Sequence, residues 1–434
     1  MLRSVAVTAT DPHSAAHRAI DAVWRIESAR LIAGLARIVR DVGLAEELAQ
    51  DALVIALEKW PVTGVPDNPG AWLMATAKHR AIDHFRRGKR LEVKHQEIAR
   101  DLDAQQDRVV EELEAAIDDP VGDDLLRLVF VACHPVLPTE ARVALTLRLL
   151  GGLTTDEIAR AFLVGEATVA QRIVRAKKTL ADANVPFEVP RGAELEARVQ
   201  SVLGVIYLIY NEGYAATAGD DWMRPALCED ALRLGRILAE LVPNEPEVHG
   251  LVALMEIQSS RAKARLGPGG EPILLLDQNR AHWDYLLIRR GLTALERALS
   301  LGGSPGPYTL QAAIAACHGR ARTAEATDWG RIAELYDTLA RLRPTPVVEL
   351  NRGMAHAMAF GPAAGLAIVD PLLEHPAMQS YHLLPSVRGD LLEKLGRDDE
   401  ARREFERAAM LTRNARERDL LLDRAAASAK RAAG

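Results

Sequence analysis

The sequence lacks most of the features that mark an enzyme, a metalloprotein or a disulfide-stapled domain. Its three cysteines, Cys133, Cys228 and Cys317, lie far apart, with no Cys-x-x-Cys and no nearby pair of histidines. This spacing argues against a metal site or a disulfide framework and predicts reduced thiols packed as small apolar residues. A glycine-rich phosphate loop and a Ser/His/Asp arrangement are also absent. We therefore expect a protein that is not an enzyme and that has no catalytic residues, no metal and no cofactor.

Long apolar runs are absent as well. The longest stretches, such as residues 128–133, are too short to cross a bilayer. No segment near the amino terminus combines a positively charged start with an apolar run. The sequence therefore predicts a cytoplasmic protein without membrane contact.

Aromatic residues are scarce, at 4% of the 434 residues, whereas hydrophobic residues make up 48%. With alanine and leucine abundant, the core should consist mainly of aliphatic side chains, which suits stacked helices better than a β-sandwich. We predict an all-α fold. The net charge of −6 does not indicate a nucleic-acid-binding protein, so any such role depends on how the charge is distributed.

Charge and turn-forming residues divide the chain into unlike parts. Residues 78–90 contain six Lys/Arg and one Asp, whereas residues 91–124 contain twelve acids and three Lys/Arg and favour a flexible linker. Helical periodicity resumes at Leu125, and Pro186 and Pro190 mark a further boundary. The predicted parts are a first helical module (1–90), an acidic linker (91–124), a second helical module (125–186) and a helical array (187–434).

A repeat pattern lies near the carboxyl end. Leu395-Gly396, followed by Ala401, Phe405 and Ala408, matches the pattern of a tetratricopeptide unit, in which small residues let two helices approach and an aromatic ring fills the gap. Gly361 precedes Gly396 by 35 positions, close to that repeat's period of about 34. The pattern favours a tetratricopeptide-like array, and an irregular helical bundle is the alternative.

The stretch "LTTDEIARAFLVGEATVAQRIVRAKKTL" (153–180) contains two short helical periods broken by residues 164–166. A three-residue break between such helices is the helix-turn-helix arrangement, whose second helix lies in the major groove. Gly165 gives only a weak start signal for that helix. The inward positions are Ile158, Ala159 and Phe162 in the first helix and Val169, Ile173, Ala176 and Leu180 in the second. The outward positions, whose residue types suit base edges and phosphates, are Thr168, Gln171, Arg172, Arg175 and Lys178.

A second basic helix lies earlier in the chain. The stretch "NPGAWLMATAKHRAIDHFRRGKR" begins in a Pro/Gly loop (66–70) and continues as a helix with an apolar face. Two small basic modules joined by an acidic tether favour a protein that binds nucleic acid at two places. The polar side of this helix offers Lys78, His79, Arg80, Arg86 and Arg87.

At these residues the sequence resembles the sigma-70 family of bacterial transcription initiation factors, of the extracytoplasmic-function (ECF) type. "AEELAQDALVIALEKW" resembles the polymerase-binding helix of the family's second region, and "WLMATAKHRAIDHFRR" its promoter −10 helix. The stretch 153–180 is similar to the fourth region's helix-turn-helix, which binds the −35 element. "YLIYNEGYAAT", "DQNRAHWD", "GPYTLQAAIAACH", "TDWGRIAELYD", "PVVELNRGMA" and "RGDLLEKLGR" resemble the subgroup with a tetratricopeptide-like extension.

The resemblance implies two partners, core RNA polymerase and promoter DNA, and a role for each helix. Glu47, Asp51 and Glu58 would face the clamp helices of the polymerase's largest subunit. Asn68 and Trp72, with the basic residues of the helix that follows, would capture the −10 element. The acidic linker would occupy the polymerase's nucleic-acid channel, and the carboxyl-terminal array would regulate the factor in cis through an unknown protein or ligand.

Two other interpretations stay open at this point. The first is a helical-repeat scaffold, or another helix-turn-helix regulator, that does not bind polymerase. The second is a small-ligand site or enzyme built on "NEGY" (211–214) and "DQNRAHWD" (277–284), for which helix capping and core filling are the structural alternative.

Overall fold

The computed structural model describes residues 12–92, 121–162, 164–216, 218–219 and 221–432. The acidic linker predicted for 91–124 lies almost entirely outside these residues. The described residues are helical nearly throughout, which confirms the all-α prediction. They form two compact units, residues 1–205 and 206–434.

The first unit starts with three helices, α1 (Pro12–Val39), α2 (Val42–Thr63) and α3 (Pro69–Glu92), which pack on one another. Asp41 caps α2, because its Oδ1 accepts a hydrogen bond from the backbone N–H of Leu44 at 2.9 Å. One face of α2 consists of small residues that let the neighbouring helices approach closely. These fully buried residues are Ala45, Ala49, Ala52 and Ala56.

Four further helices follow in this unit: α4 (Val121–Ala132), α5 (Thr139–Leu149), α6 (Thr155–Phe162) and α7 (Glu166–Asp182). The sequence predicted that helical structure resumes at Leu125, whereas α4 already begins at Val121. Asp124 lies in its first turn, where a negative charge suits the positive end of the helix dipole. Thr154 and Glu157 form a reciprocal cap of α6, each side chain accepting from the other's backbone N–H, at 3.1 and 2.8 Å.

Helix α8 (Ala193–Tyr214) contains the boundary between the two units, which falls after Val205. The boundary predicted at 186/187 is therefore earlier than the structural one. The reason is a set of hydrogen bonds from the start of α8 to the end of α4. Arg198 Nη2 donates to the carbonyl of Phe130 at 3.0 Å, and Ser201 Oγ donates to the carbonyl of Cys133 at 2.7 Å.

The second unit is an array in which each helix packs on the next one or two along the chain. Five of its helices begin with proline in the first turn, where the missing N–H costs nothing. Its helices after α8 are α9 (Pro225–Leu241), α10 (Pro246–Ser259), α11 (Tyr285–Ser300), α12 (Pro307–Arg320), α13 (Trp329–Leu342), α14 (Pro346–Phe360), α15 (Pro362–Val369), α16 (Leu383–Lys394), α17 (Asp398–Leu411) and α18 (Ala415–Ala432).

A short parallel strand pair joins the two ends of this array. β1 (Ala218–Gly219) pairs with β2 (Arg413–Asn414). The side-chain amide of Asn414 also donates to the carbonyls of Ala216 at 3.2 Å and Asp221 at 2.8 Å. The segment that follows α8 is thus held against the segment that precedes α18.

The repeat pattern near the carboxyl end occupies the turn and contact between α16 and α17. Gly396 has a φ of +72°, a conformation that favours glycine at the end of a helix. Ala401, Phe405 and Ala408 are fully buried. A Cβ on Gly389 would lie 2.8 Å from the Phe405 ring, so the glycine allows the close approach of the two helices.

Candidate nucleic-acid and polymerase interfaces

Helix α2 carries an exposed stripe of three acids. Glu47, Asp51 and Glu58 all face solvent, as the helical spacing predicts. Between them lies Val54, a hydrophobic side chain that is 53% exposed. Acidic groups around an exposed aliphatic residue form a surface suited to a partner with basic side chains and an apolar centre.

The residues predicted to capture the −10 element begin at the start of α3. Asn68 Oδ1 accepts from the backbone N–H of Ala71 at 3.0 Å and so caps the helix. Trp72 is half-buried, and its ring meets that of Trp60 edge to face, with centroids 5.3 Å apart. Asn68 and Trp72, the two predicted residues, therefore both have structural partners within the first helical module.

The basic residues of α3 differ in exposure. His79 and Arg86 lie in solvent two helical turns apart, whereas Lys78 and Arg80 are half-buried. Burial lowers the pKa of Lys78, and the nearby guanidinium of Arg37 lowers it further. Arg87 belongs to α3, but its side chain lies outside the described part of the chain.

The helix-turn-helix is formed by α6 and α7. All four inward positions predicted for α7 are buried, as are Ile158 and Ala159 in α6, whereas Phe162 is half-buried. Gly165 precedes α7 in an extended conformation, with no side-chain hydrogen bond to the first turn. Such a helix start can donate its backbone N–H groups to a phosphate.

The outward face of α7 carries the predicted −35 residues. Four of them are exposed and Arg172 is half-buried. Their spacing of three, one, three and three residues puts them on one side of the helix, opposite the core. The structure therefore brings together, on one accessible face, Thr168, Gln171, Arg172, Arg175 and Lys178.

Sequence reasoning missed a group of charged residues inside the first unit. Glu46 is only 3% exposed, although Glu47 beside it faces solvent. Arg148 Nε lies 2.6 Å from Glu46 Oε1, and Lys177 Nζ lies 2.5 Å from Oε2. The signal was available, because the helical period puts Glu46 on the buried face of α2, where a carboxylate requires a partner.

In the second unit, the "NEGY" and "DQNRAHWD" segments have structural roles. Glu212 forms an ion pair with Arg224. Asn279 caps a short 3₁₀ turn (Arg280–His282), and Asp284 caps α11 by accepting from two backbone N–H groups. Asn279 and Asp284 confirm the capping interpretation for "DQNRAHWD", whereas the role observed in "NEGY" is the ion pair of Glu212.

Arginines and aromatic rings pack together around the same two segments. The Arg265 guanidinium carbon lies 3.6 Å from the centroid of the Tyr214 ring, and that of Arg280 lies 4.5 Å from the Trp283 ring. Arg280 Nη1 also donates to the carbonyls of His318 and Ala321, each at 2.7 Å. These hydrogen bonds join the loop before α11 to the last turn of α12 and the residue that follows it, which is a structural function.

The cysteines are unpaired, as the sequence predicted. Cys133 and Cys228 are buried and Cys317 is half-buried. Burial raises the pKa of the Cys133 thiol to about 11 and that of Cys228 to about 12.

Among the described residues, no group of three or more His, Cys, Asp or Glu could hold a metal ion. In the same part of the chain, no helix has the length and apolar character needed to cross a bilayer.

Comparison with protein families gives matches in both helical modules. Residues 26–91 match the family described as sigma-70 region 2, and residues 127–180 match sigma-70, region 4. These two matches lie, in this order, on the two helical modules of the first unit. Residues 198–299 match a family of unknown function.

Individual relatives extend the comparison. An uncharacterised protein of Rhizobium meliloti (strain 1021) is 44% identical over 384 residues, which cover 88% of this chain and 89% of that protein. The chain belongs to the same family as this protein. A probable ECF RNA polymerase sigma factor SigI of Mycobacterium tuberculosis is 28% identical over 173 residues, 40% of this chain and 58% of SigI.

Proposed function

We propose that this chain is an ECF-type sigma factor, which binds core RNA polymerase, directs initiation at specific promoters and is regulated in cis by its carboxyl-terminal array. One observation carries the proposal: the two segments that match sigma-70 regions 2 and 4 each present an exposed helix face whose charge suits the partner expected for it. One face is the acidic stripe of α2, and the other is the basic outward face of α7. Bond formation would belong to the polymerase.

The stripe of α2 would contact the clamp helices of the polymerase's largest subunit. Glu47, Asp51 and Glu58 supply negative charge, which steers association and fixes the register of docking. Val54 supplies exposed apolar area at the centre of the stripe, where binding energy is concentrated in protein interfaces. The exposure of all four side chains supports this role.

The outward face of α7 would lie in the major groove of the −35 element. Arg172 and Arg175 can bind guanine edges with two hydrogen bonds each, whereas Lys178 can neutralise a phosphate.

The α3 helix and the loop before it would hold an unpaired base of the −10 element. Extruding a base costs a few kcal/mol, which contacts from His79, Arg86 and their neighbours would offset.

The negative net charge is compatible with this function. The polymerase supplies its own basic channel, and two weak contacts joined by a tether gain affinity from effective concentration. The isolated chain would therefore bind promoter DNA weakly.

The array of α9–α18 would act as a tetratricopeptide-like regulatory domain. The contact between α16 and α17, with Gly389 against Phe405, has the small-against-aromatic packing of such repeats. Its partner, whether a protein or a ligand, would change transcription without contacting the promoter.

In-vitro transcription tests the function. Purified core polymerase would be combined with the full chain on a library of promoter fragments, and start sites would be mapped. The proposal predicts defined start sites that depend on the chain. It also predicts that the double variant Glu47→Lys/Asp51→Lys abolishes them, whereas Glu240→Lys/Glu296→Lys, two exposed acids of the array, does not.

The same experiment distinguishes the proposed function from a helical scaffold and from a regulator that does not bind polymerase. A helical scaffold would give no start sites with any fragment. A helix-turn-helix regulator that does not bind polymerase would alter transcription only when another sigma factor is present.

A further inference from the structure

Three arginines of the second unit lie close together around two aromatic rings. The Arg261 guanidinium carbon lies 5.9 Å from the centroid of the Tyr214 ring and 5.8 Å from that of Trp283. Arg265 packs over the Tyr214 ring and Arg280 over the Trp283 ring. Tyr214 belongs to "NEGY", whereas Arg280 and Trp283 belong to "DQNRAHWD". We define the arginine cluster as these three arginines with the two rings.

The arginine cluster is largely buried but contains no acid. Arg265 and Arg280 are 7% and 6% exposed, and Arg261 is half-buried. In the part of the chain that the structure describes, none of the three guanidinium groups forms an ion pair with a carboxylate. The exposed Glu325 acts on Arg280 only at longer range. Because buried charges are normally paired, three like charges without a counter-charge are unusual in a protein interior.

The positive charges of the cluster act on one another. Burial lowers the pKa of Arg280, and the charge of Arg261 lowers it further. Burial also lowers the pKa of Arg265, and the charge of Arg261 contributes to this shift as well. The neighbouring His318 has a pKa of about 4 because of burial and then of the charges of Arg261 and Arg280. A bound anion would oppose all of these shifts.

Several nitrogen atoms of the cluster are buried without a hydrogen-bond partner. The Nη groups of Arg280 donate to three protein oxygens, and Arg261 Nη2 donates to the Tyr214 hydroxyl at 2.7 Å. Within the described residues, the Nε atoms of both arginines have no partner, nor do Trp283 Nε1 and the Nδ1 of His318. Since leaving a buried donor unpaired is costly, these nitrogens favour a ligand that accepts hydrogen bonds.

Charge and donors together favour a phosphate group as that ligand. The two negative charges of a phosphate compensate three guanidinium groups better than the single charge of a carboxylate. Its several oxygens can accept from donors on different side chains, and planar guanidinium groups suit phosphate geometry. Arg261 and Tyr214 are half-buried, so the cluster is reached from solvent on their side.

We propose that the arginine cluster binds a phosphate group, as free phosphate or as part of a small ligand, and that this ligand regulates transcription through the carboxyl-terminal array. The regulatory part of this inference rests on the proposed function, whereas the binding part does not. Arg261 and Arg280 would donate to the phosphate through Nε, and its charge would supply the missing counter-charge of the cluster.

Isothermal titration calorimetry of the full chain with inorganic phosphate tests the binding. Chloride would keep the ionic strength constant, so that general screening of charge does not change during the titration. We expect one saturable site per chain. At a phosphate concentration of about ten times Kd, the unfolding temperature of the second unit should rise by about 3–6 °C. Heat changes that do not saturate would overturn the proposal.

Arg261→Gln removes one charge at the solvent side of the cluster. It should weaken phosphate binding about tenfold or more, because a charged donor is lost. The unfolding temperature without phosphate should change by less than about 2 °C, since loss of the hydrogen bond to Tyr214 is offset by reduced repulsion from Arg265 and Arg280. Equal phosphate affinity in Arg261→Gln and wild type would overturn the proposal.

Two further variants control this result. Arg289→Gln, at an exposed arginine of α11, should bind phosphate as the wild type does. Arg261→Lys keeps the charge but loses the planar guanidinium, so its affinity should lie between those of wild type and Arg261→Gln. A cluster with a purely structural role would give a different pattern, with a lower unfolding temperature in Arg261→Gln and no phosphate binding in any protein.

Three anions distinguish the classes of ligand. Tighter binding of inorganic phosphate than of methyl phosphate would support free phosphate as the ligand. The reverse order would support the phosphate group of a larger molecule. Acetate that binds as tightly as phosphate would overturn the assignment to phosphate.

Transcription separates this inference from the proposed function, because the binding measurements require no polymerase. With core polymerase and promoter DNA, transcript yield should differ about fivefold or more between Arg261→Gln and Arg289→Gln. Equal yields would overturn the regulatory part of the inference. Phosphate binding by a chain that supports no transcription would support the site and refute the proposed function.

Discussion

The side-chain amide of Asn414 donates to the carbonyl of Ala216 at 3.2 Å, across almost two hundred positions of the chain. Asn414 is 1% exposed, and its Oδ1 accepts from the backbone N–H of Glu417 at 3.2 Å. One buried side chain thus joins the loop after α8 to the start of α18. The array of the second unit is closed by this contact and by the β1–β2 pair.

Asn414→Ala should weaken that closure. The change leaves two backbone carbonyls without a donor, and each such loss costs about 1–3 kcal/mol. We expect the free energy of unfolding to fall by about 2–6 kcal/mol. Amide hydrogen exchange should become faster on both sides of the contact, near Ala216 and near Asn414. Asn244→Ala, at an exposed turn, is the control, and equal exchange in the two variants would exclude a role in closure.

Arg198→Met should destabilise the second helical module (α4–α7). The variant keeps the length of the side chain but removes the donor to the Phe130 carbonyl, which lies in the last turn of α4 and has no helical partner. We expect a loss of about 1–3 kcal/mol in chemical denaturation. Gln200→Met, two positions along and exposed, should cost almost nothing. Equal losses of stability in Arg198→Met and Gln200→Met would mean that α8 is not part of this module.

His318 makes the second unit sensitive to acid. Burial, and then the charges of Arg261 and Arg280, lowers its pKa from 6.5 to about 4 in the folded state. Between these pH values the unfolded chain binds a proton that the folded chain does not, so stability falls as the pH drops from about 6.5 to about 4. This residue alone lowers the free energy of unfolding by about 3 kcal/mol over that pH range.

His318→Gln should remove that part of the pH dependence. Unfolding curves at pH 7 and pH 4.5 give the difference in stability, which should be smaller in the variant than in wild type. The exposed His282→Gln should behave as wild type. An unchanged difference in His318→Gln would show that other groups cause the acid sensitivity.

The −35 face of α7 should divide into specific and non-specific contacts. Arg172→Ala and Arg175→Ala should each reduce discrimination at one promoter position by about 1–3 kcal/mol, whereas Lys178→Ala should weaken binding to all sequences and lower the salt slope by about 1. Binding of the polymerase complex to promoter variants at several salt concentrations measures both effects. Arg289→Ala, an exposed arginine of α11, is the control. Uniform loss of affinity from all three α7 variants would exclude base recognition by the arginines.

Local patterns were sufficient to predict much of this structure. The inward positions of α7 and the exposure of Glu47, Asp51 and Glu58 follow from the helical period, because neighbours three and four residues apart share a face. The caps formed by Asn279 and Asp284 are equally local. These features depend on residues within one or two turns.

The features that were missed depend on partners far along the chain. Glu46 is paired with Arg148, which lies 102 positions further along the chain. The β1–β2 pair joins residues whose local sequence gives no indication of a strand. The first unit extends into α8 because Arg198 and Ser201 bond to the end of α4, a contact that a proline-based boundary cannot show. Most of the carboxylates in the segment predicted to occupy the polymerase channel (91–124) lie outside the described residues.

The affinity of the full chain for purified core RNA polymerase tests the central claim most directly. Titration of a fluorescently labelled chain should give saturable binding that weakens at least tenfold in Glu47→Lys/Asp51→Lys and is unchanged in Glu240→Lys/Glu296→Lys. Absence of binding by the wild-type chain, or equal affinity in all three proteins, would contradict the account.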